Sequence, residues 1–128
     1  MTLCNVLLVA AGGSAGAVCR YAVGLWTPRI VGNAAFPWGT VAVNMAGCLA
    51  IGLILGLSEH RQIVGSGMRL LVVVGFLGGF TTFSAFGYET LILLREGRNG
   101  AALANITLQP AFGLAAAALG WWLSRLGQ

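Results

Sequence analysis

A few polar and aromatic residues stand in stretches otherwise built from Ala, Leu, Val, Gly and Ile. Asn44 can present amide N–H donors to an anion, or bond a neighbouring helix. Phe83 and Phe86 are three apart and share one helical face. Ring edges are positive, so two edges turned toward one path could hold a small anion without a formal charge; an aromatic core stripe is the simpler alternative. Asn105 and Gln109 are four apart and also share a face, as inter-helix glue or as the polar side of a path. The run Gly78-Gly79-Phe80-Thr81-Thr82 makes a poor continuous helix, because adjacent glycines precede two β-branched hydroxyl residues. A break there would free the carbonyls of Gly78 and Thr81, which suit a hard cation such as sodium; a packed kink satisfied by hydroxyl groups is the other reading. Arg20 either snorkels to an interface or draws anions toward a pore mouth. Glu89 could relay protons only with a partner such as Arg20, and an interfacial position is the simpler expectation.

Other chemistries lack their residues. His60 is the single histidine, beside Glu59 and Arg61, and reads as a solvated connection. There is no Cys–His pair, no pair of intramembrane carboxylates and no phosphate-binding loop, so no enzyme is expected. Cys4, Cys19 and Cys48 are odd in number and lack metal-ligand spacing. They are expected to act as small buried hydrophobes.

The elements that must position these residues follow from composition. The chain has 128 residues, 58% apolar and 8% charged, with mean hydropathy +0.88. Soluble domains carry roughly 25% charged residues. Seven arginines and three glutamates cannot cover a soluble surface or form a concentrated basic patch. A soluble domain, a disordered chain and a nucleic-acid-binding module are thereby excluded. Spanning helices need about 20 apolar residues. The charge-free stretches predict four, at Leu3–Trp26, Pro37–Leu57, Leu70–Leu94 and Ala101–Leu123. Strand alternation is absent, which excludes a barrel. Met1 to Cys19 has no charged n-region, so the first segment reads as a span and not a cleaved signal. Gly12 and Gly16 make a small-xxx-small face for close helix packing. Pro110 is expected to bend the fourth span. Trp38, and Trp121-Trp122 with Arg125, read as interfacial anchors.

Cytoplasmic loops usually carry excess Lys and Arg. Here Arg61, Arg69 and Arg125 on one side face Arg29, Arg95 and Arg98 on the other. The balance leaves orientation unspecified, set weakly by one loop charge or not set at all. With both orientations made, two antiparallel copies could enclose a pathway, as inverted repeats do in larger transporters.

The chain resembles the Fluc family of small bacterial fluoride channels, also called CrcB proteins. The resemblance covers essentially its whole length. It rests on Gly12-Gly13-Ser14-Ala15-Gly16-Ala17 with Arg20, on Gly39-Thr40 followed by Val43-Asn44, and on Gly75 through Phe86, read GFLGGFTTFSAF. The resemblance implies an all-α, multi-pass protein of the bacterial inner membrane and an antiparallel, dual-topology homodimer of four-helix subunits. It further implies a third helix broken at the glycines, and passive export of fluoride that confers fluoride resistance. By match of motif, Phe83, Phe86, Asn44 and Thr82 line the fluoride pore, with Asn105 and Gln109 on the fourth helix. Arg20 matches a vestibule arginine. The carbonyls of Gly78 and Thr81 match the ligands of a structural sodium ion at the dimer interface. Ala85 departs from the family pattern, where threonine is commoner, and Pro110 is unusual. The competing class is a four-helix proton-coupled multidrug exporter, but its required carboxylate in the first segment is missing. A structural subunit without transport would leave the polar face of Asn44, Asn105 and Gln109 unexplained.

Overall fold

A computed structural model describes residues 2–32, 35–61 and 65–126. Helix α1, Leu3–Val31, starts where the Thr2 hydroxyl accepts the N–H of Asn5 and ends at Gly32, whose φ of 66° closes the last turn. Helix α2 is Trp38–Arg61. The third span opens with α3 (66–80), in which Ser66–Met68 and Gly78–Phe80 are α-helical and Arg69–Leu77 is π-helical. Thr81 and Thr82 are extended, with ψ of 159° and 124°. The chain then resumes as α4, Phe83–Arg95, and after a turn as α5, Asn99–Leu123. All described elements are helical, and four stretches, Leu3–Val31, Trp38–Glu59, Ser66–Arg95 and Asn99–Leu123, are long and apolar enough to cross a membrane.

Apolar burial drives little helix association in lipid, so close packing between small residues matters more. Gly12 and Gly16 show this on α1. A Cβ at Gly12 would lie 2.0 Å from the carbonyl oxygen of Leu71, and one at Gly16 would lie 2.1 Å from that of Phe76. Only glycine lets α1 and α3 approach so closely. Their contacts rise together along both chains, so the two helices run parallel. Helices α2 and α5 form the other tight pair. One end of that pair is tied by the Trp121 indole N–H donating to Glu59 at 2.9 Å, with the Arg125 guanidinium 3.7 Å over the Trp121 ring.

Several expected boundaries move. α1 runs past Trp26 to Val31, so Arg29 lies in its last turn and not in a connection. Arg20 is therefore eleven residues, about 16 Å of helix, short of that end. α2 continues through Glu59, which partners Trp121 and is not a loop residue; the side chains of His60 and Arg61 lie outside the described residues. Gly78 and Gly79 stay helical, and the extended residues are the two threonines that follow. Their β-branched side chains favour that backbone more than glycine does. Pro110 lies inside α5, Asn99–Leu123, as expected of a proline within the fourth span. Cys4 and Cys19 are exposed, against the expected burial, because their helix faces look outward, and Cys48 is half-buried beside Gly113.

Candidate functional site

Thr81 N–H still donates to the carbonyl of Leu77 at 3.0 Å, but the N–H of Thr82 has left the helix, and a side chain on α2 takes it. The Oδ1 of Asn44 accepts the N–H of Thr82 at 3.0 Å, and its Nδ2 donates to the carbonyl of Thr82 at 3.2 Å. Asn44 thus pairs with Thr82 as a neighbouring strand would. Its second N–H goes to Oε1 of Gln109 at 2.9 Å. Gln109 Nε2 donates to Asn105 Oδ1 at 2.7 Å, and Asn105 Nδ2 donates to the Thr90 hydroxyl at 2.9 Å. Thr90 in turn donates to the carbonyl of Phe86 at 2.7 Å. The Thr82 hydroxyl accepts the N–H of Ala85 at 3.2 Å, which caps α4.

The same two residues redirect the N–H groups that a continuous helix would use. Gly78 would receive the N–H of Thr82 and Thr81 that of Ala85. Those donors go to Asn44 and to the Thr82 side chain. The carbonyls of Gly78 and Thr81 therefore lose their helical partners, and they are oxygen donors of the kind a hard cation takes.

Beside this network lies a cavity of about 680 Å³, open on one side. Asn44, Gly78, Thr81, Thr82, Phe83, Phe86 and Gln109 all border it, with Met45, Cys48, Leu77 and Leu114 among its apolar walls. Among the described residues no charged side chain lines it. The rings of Phe83 and Phe86 stand 5.4 Å apart, inclined by 38°. Phe83 is 83% exposed within a single chain.

The description CrcB-like protein, Camphor Resistance (CrcB), matches residues 7–121. This chain belongs to the CrcB-like family. It is 50% identical over 93 residues to a protein of Rhizobium leguminosarum bv. trifolii named Fluoride-specific ion channel FluC, covering 73% of this chain and 74% of that one. A protein of the same name from Rhizobium etli is 45% identical over 115 residues, covering 90% of each chain. One from Chloroflexus aurantiacus is 43% identical over 121 residues, covering 94% and 95%.

In this CrcB-like chain the structure brings Asn44, Thr82, Phe83, Phe86 and Gln109 to one cavity, together with Gly78 and Thr81. It does not bring Arg20 there. Asn105 is fully buried behind Gln109 and reaches no cavity wall. Asn44 has no N–H left for an anion, because both are spent inside the chain. Glu89 does not pair with Arg20. Its Oε1 accepts the Thr40 hydroxyl at 2.6 Å, and its Oε2 is buried without a partner. Among the described residues the ion pair present is Arg98 with Glu96.

The sequence reading gave no role to two residues, Thr40, which entered it only within the Gly39-Thr40 motif, and Thr90. Both carried a signal. Thr40 precedes Asn44 by four residues and Thr90 follows Phe86 by four, so each shares a helical face with a candidate already identified.

Proposed function

We propose that this CrcB-like chain is a fluoride-specific ion channel. It lets cytoplasmic fluoride leave down its electrochemical gradient and so confers fluoride resistance. The observation that carries the reading is family membership across residues 7–121, joined to a mainly apolar cavity bordered by a few amide and hydroxyl groups and two phenyl rings, with no charged side chain among its described lining residues. We further propose that two copies act as an antiparallel, dual-topology homodimer in the bacterial inner membrane. In that arrangement the third span is interrupted mid-membrane at Thr81-Thr82.

Hydrogen fluoride crosses membranes as a neutral molecule and dissociates at cytoplasmic pH, which traps fluoride inside. Fluoride holds its water tightly, so a path must replace lost hydration at each step. Hydroxyl and amide N–H groups can do so, and the positive edges of Phe83 and Phe86 can do so without a fixed cation. A fixed arginine at that depth would hold the ion too strongly for rapid passage. Chloride is larger and fits these donors poorly. The role proposed for Asn44 is to hold Thr82 extended at the wall. Asn105 acts from behind Gln109, and Arg20 attracts anions from outside the cavity.

The carbonyls of Gly78 and Thr81 are the proposed ligands of a structural sodium ion. Their diverted helical donors support that reading. Sodium would neutralise carbonyl dipoles left without partners and would take no part in ion passage.

The test is reconstitution in liposomes, with fluoride and chloride efflux followed by ion-selective electrodes. Fluoride efflux well above protein-free vesicles, with little chloride efflux, is expected. Fluoride efflux no faster than protein-free vesicles would remove the channel reading.

A further inference from the structure

Five hydrogen bonds run head to tail through the site. The Thr82 N–H donates to Asn44, Asn44 to Gln109, Gln109 to Asn105, Asn105 to Thr90, and Thr90 to the carbonyl of Phe86. Both ends are backbone groups, the N–H of Thr82, which caps α4, and a carbonyl in the first turn of α4. One can only donate and the other can only accept, so the direction of the whole chain is fixed. Reversing the Gln109 amide would set nitrogen against nitrogen at 2.9 Å and oxygen against oxygen at 2.7 Å. Gln109 is therefore held in one orientation.

That orientation leaves one group over. Gln109 Nε2 carries two N–H bonds and spends one on Asn105. Asn44 has none to spare, and Asn105 and Thr90 are buried away from the cavity. Gln109 alone among the three amides both borders the cavity and keeps a spare donor. It accepts at Oε1 from Asn44, and aligned hydrogen bonds polarise one another, so its spare N–H becomes a better donor to an anion.

Resting on the channel reading above, we infer that Gln109 supplies the amide N–H that meets the anion, and that Thr90 and Asn105 are positioning residues which hold it there. Thr90 touches no ion. It locks the far end of the chain by accepting from Asn105 and donating to Phe86.

The experiment compares Thr90→Val, Thr90→Ser and Thr107→Val with the wild-type chain in liposomes. Thr90→Val keeps the shape and removes both bonds of the lock; the one from Asn105 is the one that acts on Gln109, and its loss is expected to lower fluoride flux about fivefold, the effect of one ordinary neutral hydrogen bond. Thr90→Ser should restore it. Thr107, exposed and bonded only to its own helix, should tolerate Val at wild-type flux. Thr90→Val conducting like the wild type, or Thr90→Ser remaining as slow as Thr90→Val, would overturn the inference. A second measurement needs no variant. With 15N-labelled glutamine, one of the two Gln109 side-chain N–H resonances should move when fluoride replaces chloride, while its partner stays. Movement of both or of neither would overturn the assignment. Absence of fluoride flux from the wild-type chain is a separate result, since it removes the channel reading itself.

Discussion

Asn44→Asp keeps the side-chain shape, changes one NH2 group to an oxygen and adds a negative charge at the cavity wall, which by itself also slows an anion. The aspartate keeps the bond accepted from Thr82 N–H at 3.0 Å. The two bonds it donated, at 3.2 Å to the Thr82 carbonyl and 2.9 Å to Gln109, become oxygen–oxygen approaches. Two neutral hydrogen bonds contribute about 2 kcal/mol net, and each stranded acceptor adds a further cost of about 1–3 kcal/mol if it stays buried. If the first amount alone falls on the conducting arrangement, flux drops roughly 30-fold. The assay is fluoride efflux from liposomes, with gel filtration in detergent to show that the variant assembles as the wild type does. A drop of about 30-fold or more is expected. Wild-type flux from a well-assembled variant would refute the claim that Asn44 holds the Thr82 backbone.

Phe83→Ile removes a positive ring edge while keeping apolar volume, so fluoride flux should fall severely with dimer formation intact; wild-type flux would take Phe83 off the path. Removing sodium during purification should abolish flux and restoring it should recover flux, and indifference to sodium would count against the carbonyls of Gly78 and Thr81. Gly16→Ala places a methyl 2.1 Å from the Phe76 carbonyl oxygen, and the overpacking should cost about 1–3 kcal/mol, read as a lower unfolding temperature in detergent. Gly24→Ala, where nothing lies within 4 Å, should not lower that temperature and serves as the control.

Much of the architecture was legible because the bilayer imposes it. Charge-free runs of the right length locate four spans, and Gly12 and Gly16 announce a close helix contact. The ends were harder to place. Arg29 looked like loop, yet a helix can carry an arginine in its last turn, where the dipole favours a cation. The site was legible as a set of residue types. What each residue does there was not. Asn44 reads equally as an anion donor or as a clamp, and only its partners decide between them. The location of the extended residues was misjudged for a related reason. Gly78 and Gly79 are the poorest helix formers nearby, but the alternative backbone became stable where Asn44 could pair with it, at Thr82. Thr90 was missed because a threonine bonded to the carbonyl four residues back looks like ordinary helix surface.

The scarcity of charge and the open side of the cavity belong to one argument. An uncharged wall can hold fluoride only by surrounding it with many weak donors, each poor alone. Phe83 and Leu114 border the cavity, yet they are 83% and 75% exposed in a single chain. A ring edge facing lipid serves no ion, because the field it offers is matched by nothing on the other side. In the proposed antiparallel pair the partner covers that opening with an identical wall. Balanced arginines then follow as a requirement. A chain biased toward one orientation would starve the membrane of opposite copies, and each would keep half a path. The near-equal distribution of arginine and the incomplete enclosure of the cavity are two consequences of the same proposed stoichiometry.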